Sequence, residues 1–293
     1  MAHLSIPKTY KLFVGGAFPR SESGRTYPVT DAKGEFMANA AQGSRKDLRD
    51  AVVAARKGHQ AWAGATPYNR GQVIYRMAEM LDGRGPEFVE LLRRSRGATA
   101  AQARSEVQAA VDRLVHFAGW TDKITAVFGG ANPVSGPFFS YSACEPTGVV
   151  GIIAPTDAPL LGLVSAVAPV VASGNSVVVL AAQDDPCVAI GLGEVLATSD
   201  VPGGAINILT GDPDEMGPHL AAHKDVNGLD LTGAGDELRL AMEQAASQTL
   251  KRIHVGDEDF TSAPGTGRMR AFLEVKSVWH PVGAVSLAGG TAY

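Results

Sequence analysis

Five short apolar runs, each followed by a stretch of helical or turn pattern, constrain the fold of this chain more than any other feature. They are GVVGIIAP (148–155), SVVVLAA (176–182), AINILTG (205–211), GLDLTG (228–233) and LKRIHVG (250–256). Helices of about ten to fifteen residues between such runs are typical of β-α-β units, which build a parallel sheet with helices on both faces. We therefore expect an α/β fold with a Rossmann-like parallel sheet of about five strands and flanking helices.

The second apolar run shows that a well-formed strand need not serve a ligand. Sheets of this kind bind ligands at the carboxyl ends of their strands, where polar residues are expected. The run 176–182 instead ends in Leu180-Ala181-Ala182. Its unbroken apolar stretch indicates a strand that is buried on both faces. The pattern therefore predicts a strand that the sheet requires and that offers no polar group to a ligand.

The region before the apolar runs predicts helices and short strands. Ser44 and Asp47 have the spacing of a capping box at a helix start. Thr66-Pro67 begins a second helix, because proline favours the first helical position. A long helix is expected over residues 101–127, and a strand–turn–strand pattern over 133–146.

Composition and charge exclude several classes of protein. The chain of 293 residues is 45% hydrophobic and 19% charged, as in globular proteins. Its net charge of −4 predicts no attraction to nucleic acid or to an anionic membrane. Residues 158–182 carry few charges, but Pro159, Pro169 and Gly174 interrupt them, so we expect no membrane span. Two cysteines without a CxxC pair, and a start without a signal-peptide pattern, predict a cytoplasmic protein.

Several segments resemble the aldehyde dehydrogenase superfamily. They are KLFVGGAF (11–18), AVVAARKGHQAW (51–62), GPFFSYSACEPTGVVGIIAP (136–155), VPGGAINILTGDPDEMG (201–217) and MRAFLEVKSVWHPVG (269–283). The resemblance covers nearly the whole chain. It implies four parts: the helical portion of a nucleotide-type domain (1–130), an oligomerisation hairpin (131–147), a Rossmann-like nucleotide-type domain (148–260), and a linker with a C-terminal oligomerisation strand (261–293).

The resemblance also shows what this chain lacks. In the superfamily, a catalytic domain with the nucleophilic cysteine lies between the nucleotide domain and the C-terminal strand. Here the last sheet strand is joined to the tail by LKRIHVGDEDFTSAPGTGRMRAFLEV, in which no such domain fits. We therefore assign no catalytic residue and expect the chain to be inactive alone.

The expected nucleotide site departs from the family pattern. Leu180 stands where the family has a lysine that binds the adenosine ribose, and Gln183 stands where a glutamate is common. Asp157 replaces the asparagine of the family's PWN segment, and a carboxylate there would repel an oxyanion. Ala234 replaces the serine of the FTGS turn, and Leu238 replaces its second glycine.

The resemblance thus implies a degenerate cofactor site with weak or no binding of NAD or NADP. Its expected residues are Pro155, Thr156, Asp157, Leu180, Gln183, Gly211, Thr232, Gly233 and Ala234. Backbone N–H groups of residues 233–235, ahead of a helix, could still hold a pyrophosphate. Glu237 at that helix start would compete with such an anion.

Other candidate chemical groups have simpler interpretations. Cys187 begins a predicted helix but has Asp184 and Asp185 beside it, which disfavour a thiolate, and Cys144 adjoins a glutamate. The pair His219 and His223 lacks a third acidic ligand, so no metal site is assigned. The acidic stretches 212–215 and 257–259 are interpreted as turns and helix caps.

The favoured hypothesis is a truncated, catalytically inactive aldehyde dehydrogenase homologue, a pseudoenzyme. It would act as an assembly or regulatory subunit, as a homo-oligomer or with a full-length aldehyde dehydrogenase. The reason is that a strand such as FLEVKSVW (272–279) needs a sheet edge for its backbone groups. One alternative is an NAD(P)-dependent aldehyde oxidoreductase whose active site a partner subunit completes. Another is a gene product without function.

Overall fold

The structure is a computed structural model, which describes residues 8–257 and 259–282. The outermost parts of the expected segments 1–130 and 261–293, and the middle residue of the acidic stretch 257–259, lie outside the described residues. The strands are β1 (Thr9–Tyr10), β2 (Thr26–Thr30), β3 (Phe36–Ala41), β4 (Gly130–Asn132), β5 (Phe138–Pro146), β6 (Val149–Ile153), β7 (Ser176–Leu180), β8 (Ile206–Leu209), β9 (Gly228–Asp230), β10 (Arg252–His254) and β11 (Leu273–Pro281). The helices are α1 (Arg45–Gly64), α2 (Pro67–Gly83), α3 (Gly85–Arg96), α4 (Ala100–Ala118), α5 (Ile124–Phe128), α6 (Leu161–Ala172), α7 (Pro186–Leu196), α8 (Pro213–Ala222), α9 (Asp236–Ala246) and α10 (Gly267–Ala271).

The five apolar runs form one parallel sheet, which confirms the expected fold class. Its strand order is β10-β9-β6-β7-β8. Strands β6, β7, β8 and β9 are buried along their whole length, because helices cover both faces. Helix α6 is buried all round, which explains why its sequence carries almost no charge. None of the helices in the described part of the chain is long and apolar enough to cross a membrane.

The predicted helix starts are confirmed, but the long fourth helix is not continuous. Ser44 and Asp47 form the capping box of α1, with Asp47 N donating to Ser44 Oγ at 3.2 Å and Ser44 N to Asp47 Oδ2 at 2.9 Å. The helix expected over 101–127 is instead α4 and α5, separated by a turn after Gly119. The turn packs closely on α2, since a Cβ on Gly71 would lie 2.7 Å from Thr121 Oγ1. Tertiary packing therefore ends the helix where its periodicity alone would continue.

A small antiparallel sheet, which we call the arm, consists of β4, β5 and β11 in the order β11-β5-β4. β11 pairs with β5 over nine positions, from Leu273 opposite Pro146 to Pro281 opposite Phe138. This is the element that the resemblance implied for the hairpin and the C-terminal strand. Only residues 255–266 separate β10 of the central sheet from α10 at the foot of the arm.

Candidate functional site

The expected cofactor residues lie together at the carboxyl edge of the central sheet. Pro155, Thr156 and Asp157 follow β6, and Leu180 ends β7 with Gln183 just beyond it. Gly211 follows β8, and the Thr232-Gly233-Ala234 turn follows β9. The chain leaves β6 toward β7 on one side and returns to β9 on the other. This is the switch point at which parallel sheets bind ligands.

Leu180 serves packing. Its side chain is fully buried in the apolar cluster between the sheet and helices α1, α8 and α9. Its carbonyl oxygen accepts a hydrogen bond from Ala154 N at 2.9 Å, which continues the β6–β7 ladder. A charged amine at this side-chain position would have to be buried in that apolar cluster.

In the turn after β9, residues 232–234 already form hydrogen bonds within the chain. Thr232 Oγ1 donates to Asp230 Oδ1 at 2.6 Å and accepts from Gly256 N at 3.0 Å. Gly233 N donates to Ile153 O at 3.2 Å, and Ala234 N donates to Leu231 O at 2.9 Å. Of the N–H groups expected to hold a phosphate, those of residues 233 and 234 therefore already have partners within the chain.

The helix after this turn is also poorly suited to an anion. Asp236 and Glu237 lie in the first turn of α9, where their negative charges oppose a phosphate. Leu238 packs against α8, because a Cβ added to Gly217 would lie 2.9 Å from Leu238 Cδ1. The side chain that replaces a family glycine therefore fills space between the two helices. These residues do not fit a pyrophosphate, and weak or absent binding of NAD or NADP stays a prediction.

Two arginines that the sequence did not single out hold the carboxyl edge together. Arg268 is 2% exposed, and its Nε donates to Oδ2 of the fully buried Asp230 at 2.6 Å. Arg96 pairs with the buried Asp185 and donates to Thr156 O at 2.7 Å. A signal was present, since Asp230 interrupts the apolar run of β9 and a buried carboxylate requires a partner. The partner itself is 38 residues away in the sequence and no local pattern marks it.

Neither cysteine has the properties of a catalytic nucleophile. Burial is the main cause that raises the pKa of Cys187 to about 12, and a hydrogen bond with Tyr10 only partly opposes it. Burial also raises the pKa of Cys144, against a smaller lowering by Arg270. A reactive thiol requires the opposite shift.

These shifts predict which thiol reacts. At pH 8 Cys187 is held in its thiol form, since burial raises its pKa well above that pH. We expect iodoacetamide to label the partly exposed Cys144 in the native chain and Cys187 only after unfolding in urea, as measured by peptide mass spectrometry. The Cys144→Ser variant is the control and should take no label until it is unfolded. Native labelling of Cys187 in that variant would contradict the assignment.

The histidine pair lies at the end of a helix, and the acidic stretches form a helix cap and a turn. His219 lies on α8 and His223 caps its end, beside a cavity of about 740 Å³ that Arg45 and Arg49 also line. No group of three metal-binding side chains occurs among residues 8–257 and 259–282. Asp212 accepts from Asp214 N at 2.9 Å as the cap of α8, and Asp259 accepts from Thr261 N at 2.9 Å in a turn.

Comparison with known proteins agrees with the fold. The sequence model of the aldehyde dehydrogenase family matches residues 18–256. Cytosolic aldehyde dehydrogenase 1 of Elephantulus edwardii is 32% identical over 258 residues, which cover 86% of this chain and 51% of that protein. Retinal dehydrogenase 2 of Mus musculus is 30% identical over 251 residues, which cover 84% of this chain and 48% of that protein.

Solved structures give the same result. HpcC from Thermus thermophilus superposes with a TM-score of 0.79 at 30% identity, over 84% of this chain and 47% of that one. The NAD+ complex of an aldehyde dehydrogenase from Bacillus cereus superposes with a TM-score of 0.78 over 85% of this chain and 50% of that one. The latter is 24% identical, so it supports the fold alone. This chain spans about half the length of the curated relatives it matches. By its sequence match and its fold, the chain belongs to the aldehyde dehydrogenase family.

Proposed function

We propose that this chain is a catalytically inactive assembly or regulatory subunit, which associates with itself or with a full-length aldehyde dehydrogenase through the arm. The observation that carries the proposal is the exposure of apolar side chains on both faces of the arm. Val275 and Trp279 are 64% and 56% exposed on one face, and Phe139 is 51% exposed on the other. A small sheet that leaves large apolar side chains exposed on both faces gains little from burying them unless a partner covers them.

The outer edge of β11 supports the same proposal. In an antiparallel ladder, the backbone groups of successive residues point to opposite sides of the strand. Thr147 N donates to Phe272 O at 3.2 Å and Val282 N to Pro137 O at 2.8 Å, so the even-numbered residues face β5. The odd-numbered Val275, Ser277 and Trp279 therefore direct N–H and C=O groups away from β5, at the edge of the arm. Such an edge can add to a sheet of another subunit.

Inactivity of the isolated chain is supported by the site. Both thiols have a raised pKa, and the carboxyl edge of the sheet is held by the buried Asp230–Arg268 ion pair. The stretch 255–266 is too short to hold a second domain between the sheet and the arm.

Two substitutions on the exposed face of β11 test the assembly proposal. We expect the Val275→Lys/Trp279→Lys double variant to weaken association at least tenfold, because lysines on an edge strand oppose sheet addition. The measurement is native mass spectrometry of the tagged chain, alone and mixed with a full-length aldehyde dehydrogenase from the same source. An unfolding temperature close to that of the unsubstituted chain shows that the double variant is folded. Val53→Lys, at a 57% exposed position of α1, is the matched control and should associate as the unsubstituted chain does.

A strictly monomeric chain that captures no dehydrogenase would refute the assembly proposal. The same mixtures, supplied with NAD and an aldehyde, test the alternative of an active site completed by a partner. A rate of cofactor reduction that disappears in the Cys144→Ala or Cys187→Ala variant would favour that alternative.

A further inference from the structure

The segment after β10 returns across the carboxyl edge of the central sheet before it enters the arm. We call residues 259–272 the strap. It contacts the body of the protein at three places, near its beginning, at Arg268, and at its end. The first two contacts lie at the carboxyl edge of the sheet, and the third lies at the opposite edge, where β6, β7 and β9 begin.

The beginning of the strap lies on the first turns of α6. The ring of Phe260 is close to Gly162, since a Cβ added there would lie 3.6 Å from Phe260 Cε2 and 3.2 Å from Pro155 Cβ. Arg113 of α4 donates to Phe260 O at 2.7 Å and to Ser262 O at 3.1 Å. The same guanidinium donates to Ser165 Oγ at 2.7 Å. A buried arginine thus fastens the strap to α6 next to the segment that follows β6.

The middle of the strap inserts Arg268 between β9 and α6. Besides its bond to Asp230, the guanidinium donates to Ser165 O at 3.0 Å and to Thr232 Oγ1 at 2.9 Å. One buried side chain therefore joins the end of β9, the turn after it and the helix after β6. Those elements border the two sides of the switch point between β6 and β9.

The end of the strap is fixed in the core. Phe272 is fully buried, and a Cβ on Gly228 of β9 would lie 2.8 Å from its ring. Its carbonyl oxygen accepts from Asn175 Nδ2 at 2.8 Å and from Thr147 N at 3.2 Å. Because β11 begins at the next residue, this anchor also sets the direction in which the arm leaves the sheet.

We infer that the strap is an internal occupant of the switch-point crevice, which closes it to dinucleotides and fixes the arm to the sheet. Parallel sheets leave this crevice for ligands. Here the chain fills it with its own Phe260 and Arg268, and the bonds of Arg268 satisfy the carboxylate and hydroxyl that the crevice contains. The inference concerns the monomer and holds whether or not the arm binds a partner.

Hydrogen exchange of the intact chain, followed by mass spectrometry, tests the inference. We expect slow exchange of the strap amides from 267 to 272, and no change anywhere in the chain when NAD or NADP is added at millimolar concentration. We expect the Phe260→Ala variant to exchange at least tenfold faster at residues 259–266 and in the first turn of α6, with β7 unchanged. Phe36→Ala, at an exposed position of β3, is the control and should leave the strap as it is.

Two results would overturn the inference. One is exchange of strap residues 267–272 as fast as in an unstructured peptide. The other is protection of residues 154–157 and 232–237 by NAD or NADP with faster exchange in the strap, since the crevice would then open to the dinucleotide. Both readouts come from the unsubstituted chain, so they remain decisive even if Phe260→Ala does not fold. Neither hydrogen-exchange result depends on association through the arm, so these results test the inference separately from the assembly proposal.

Discussion

The Asp230→Ala variant is expected to lose about 3–5 kcal/mol of its free energy of unfolding, the range measured when one member of a buried ion pair is removed. Asp230 is fully buried at the end of β9, and Arg268 beside it is almost fully buried. The substitution takes a carboxylate away from a guanidinium that stays inside the protein. It also removes the acceptor that orients the hydroxyl of Thr232. Urea unfolding followed by circular dichroism measures the loss.

Two further variants separate the ion pair from general sensitivity to substitution. The Asp230→Ala/Arg268→Met double variant should be more stable than Asp230→Ala alone, because the buried charge is removed together with its partner. Arg76→Ala breaks an exposed pair with Glu79 and should cost less than about 1 kcal/mol. A cost of the Asp230→Ala change as small as that of Arg76→Ala would show that the pair does not hold the strap.

The Gly233→Ala variant is expected to lose about 2–3 kcal/mol, a typical cost of forcing extra atoms into a packed site. A Cβ at this position would lie 2.2 Å from Ala154 O and 2.6 Å from Ile153 O. Both atoms belong to the backbone at the end of β6, so the ends of β6 and β9 would have to separate. The change in unfolding midpoint in urea measures the effect.

The matched control for Gly233 lies two residues further along the same turn. A Cβ on Gly235 meets no atom within 4 Å, and its backbone is extended. Gly235 is the N-cap of α9, where alanine is less favourable than glycine, so we expect Gly235→Ala to cost less than about 1 kcal/mol. Equal effects of the two substitutions would contradict the packing argument. If the two differ as expected, then Gly233 is required by the close approach of two strands whether or not a phosphate binds.

The difference between a glycine kept for packing and one kept for phosphate binding matters for chains that span only half the length of their relatives. A family glycine can remain because the sheet needs it, while the neighbouring ligand contacts change. Gly233 and Leu180 illustrate the two cases on adjoining parts of one sheet edge. The glycine keeps β6 and β9 in contact, and the leucine fills the apolar cluster next to β7. Motif residues of this kind are therefore weak evidence for a bound cofactor unless their donors are available.

The expected cofactor residues lie at one edge of the sheet, as its topology requires. Their hydrogen-bond partners could not be predicted from the sequence. The strand runs determined which residues follow β6, β7, β8 and β9, and those positions are adjacent in any parallel sheet of this order. That Thr232 and Gly233 already have partners depends on atoms from β6, the segment after β10 and the strap. The prediction of one continuous helix over residues 101–127 was wrong for a related reason. Its periodicity is continuous, and packing of the turn against α2 ends α4 at Ala118.

The sequence alone determined the class of fold, the strand positions, the helix caps and the family, because each of these depends on local patterns of a few residues. The tertiary structure alone decided how the carboxyl edge of the sheet is closed. Asp230 and Arg268 are far apart in the chain, and so are Phe260 and Gly162. No local pattern encodes such pairs, since a buried charge can be satisfied by any segment that the fold brings within about 3 Å of it.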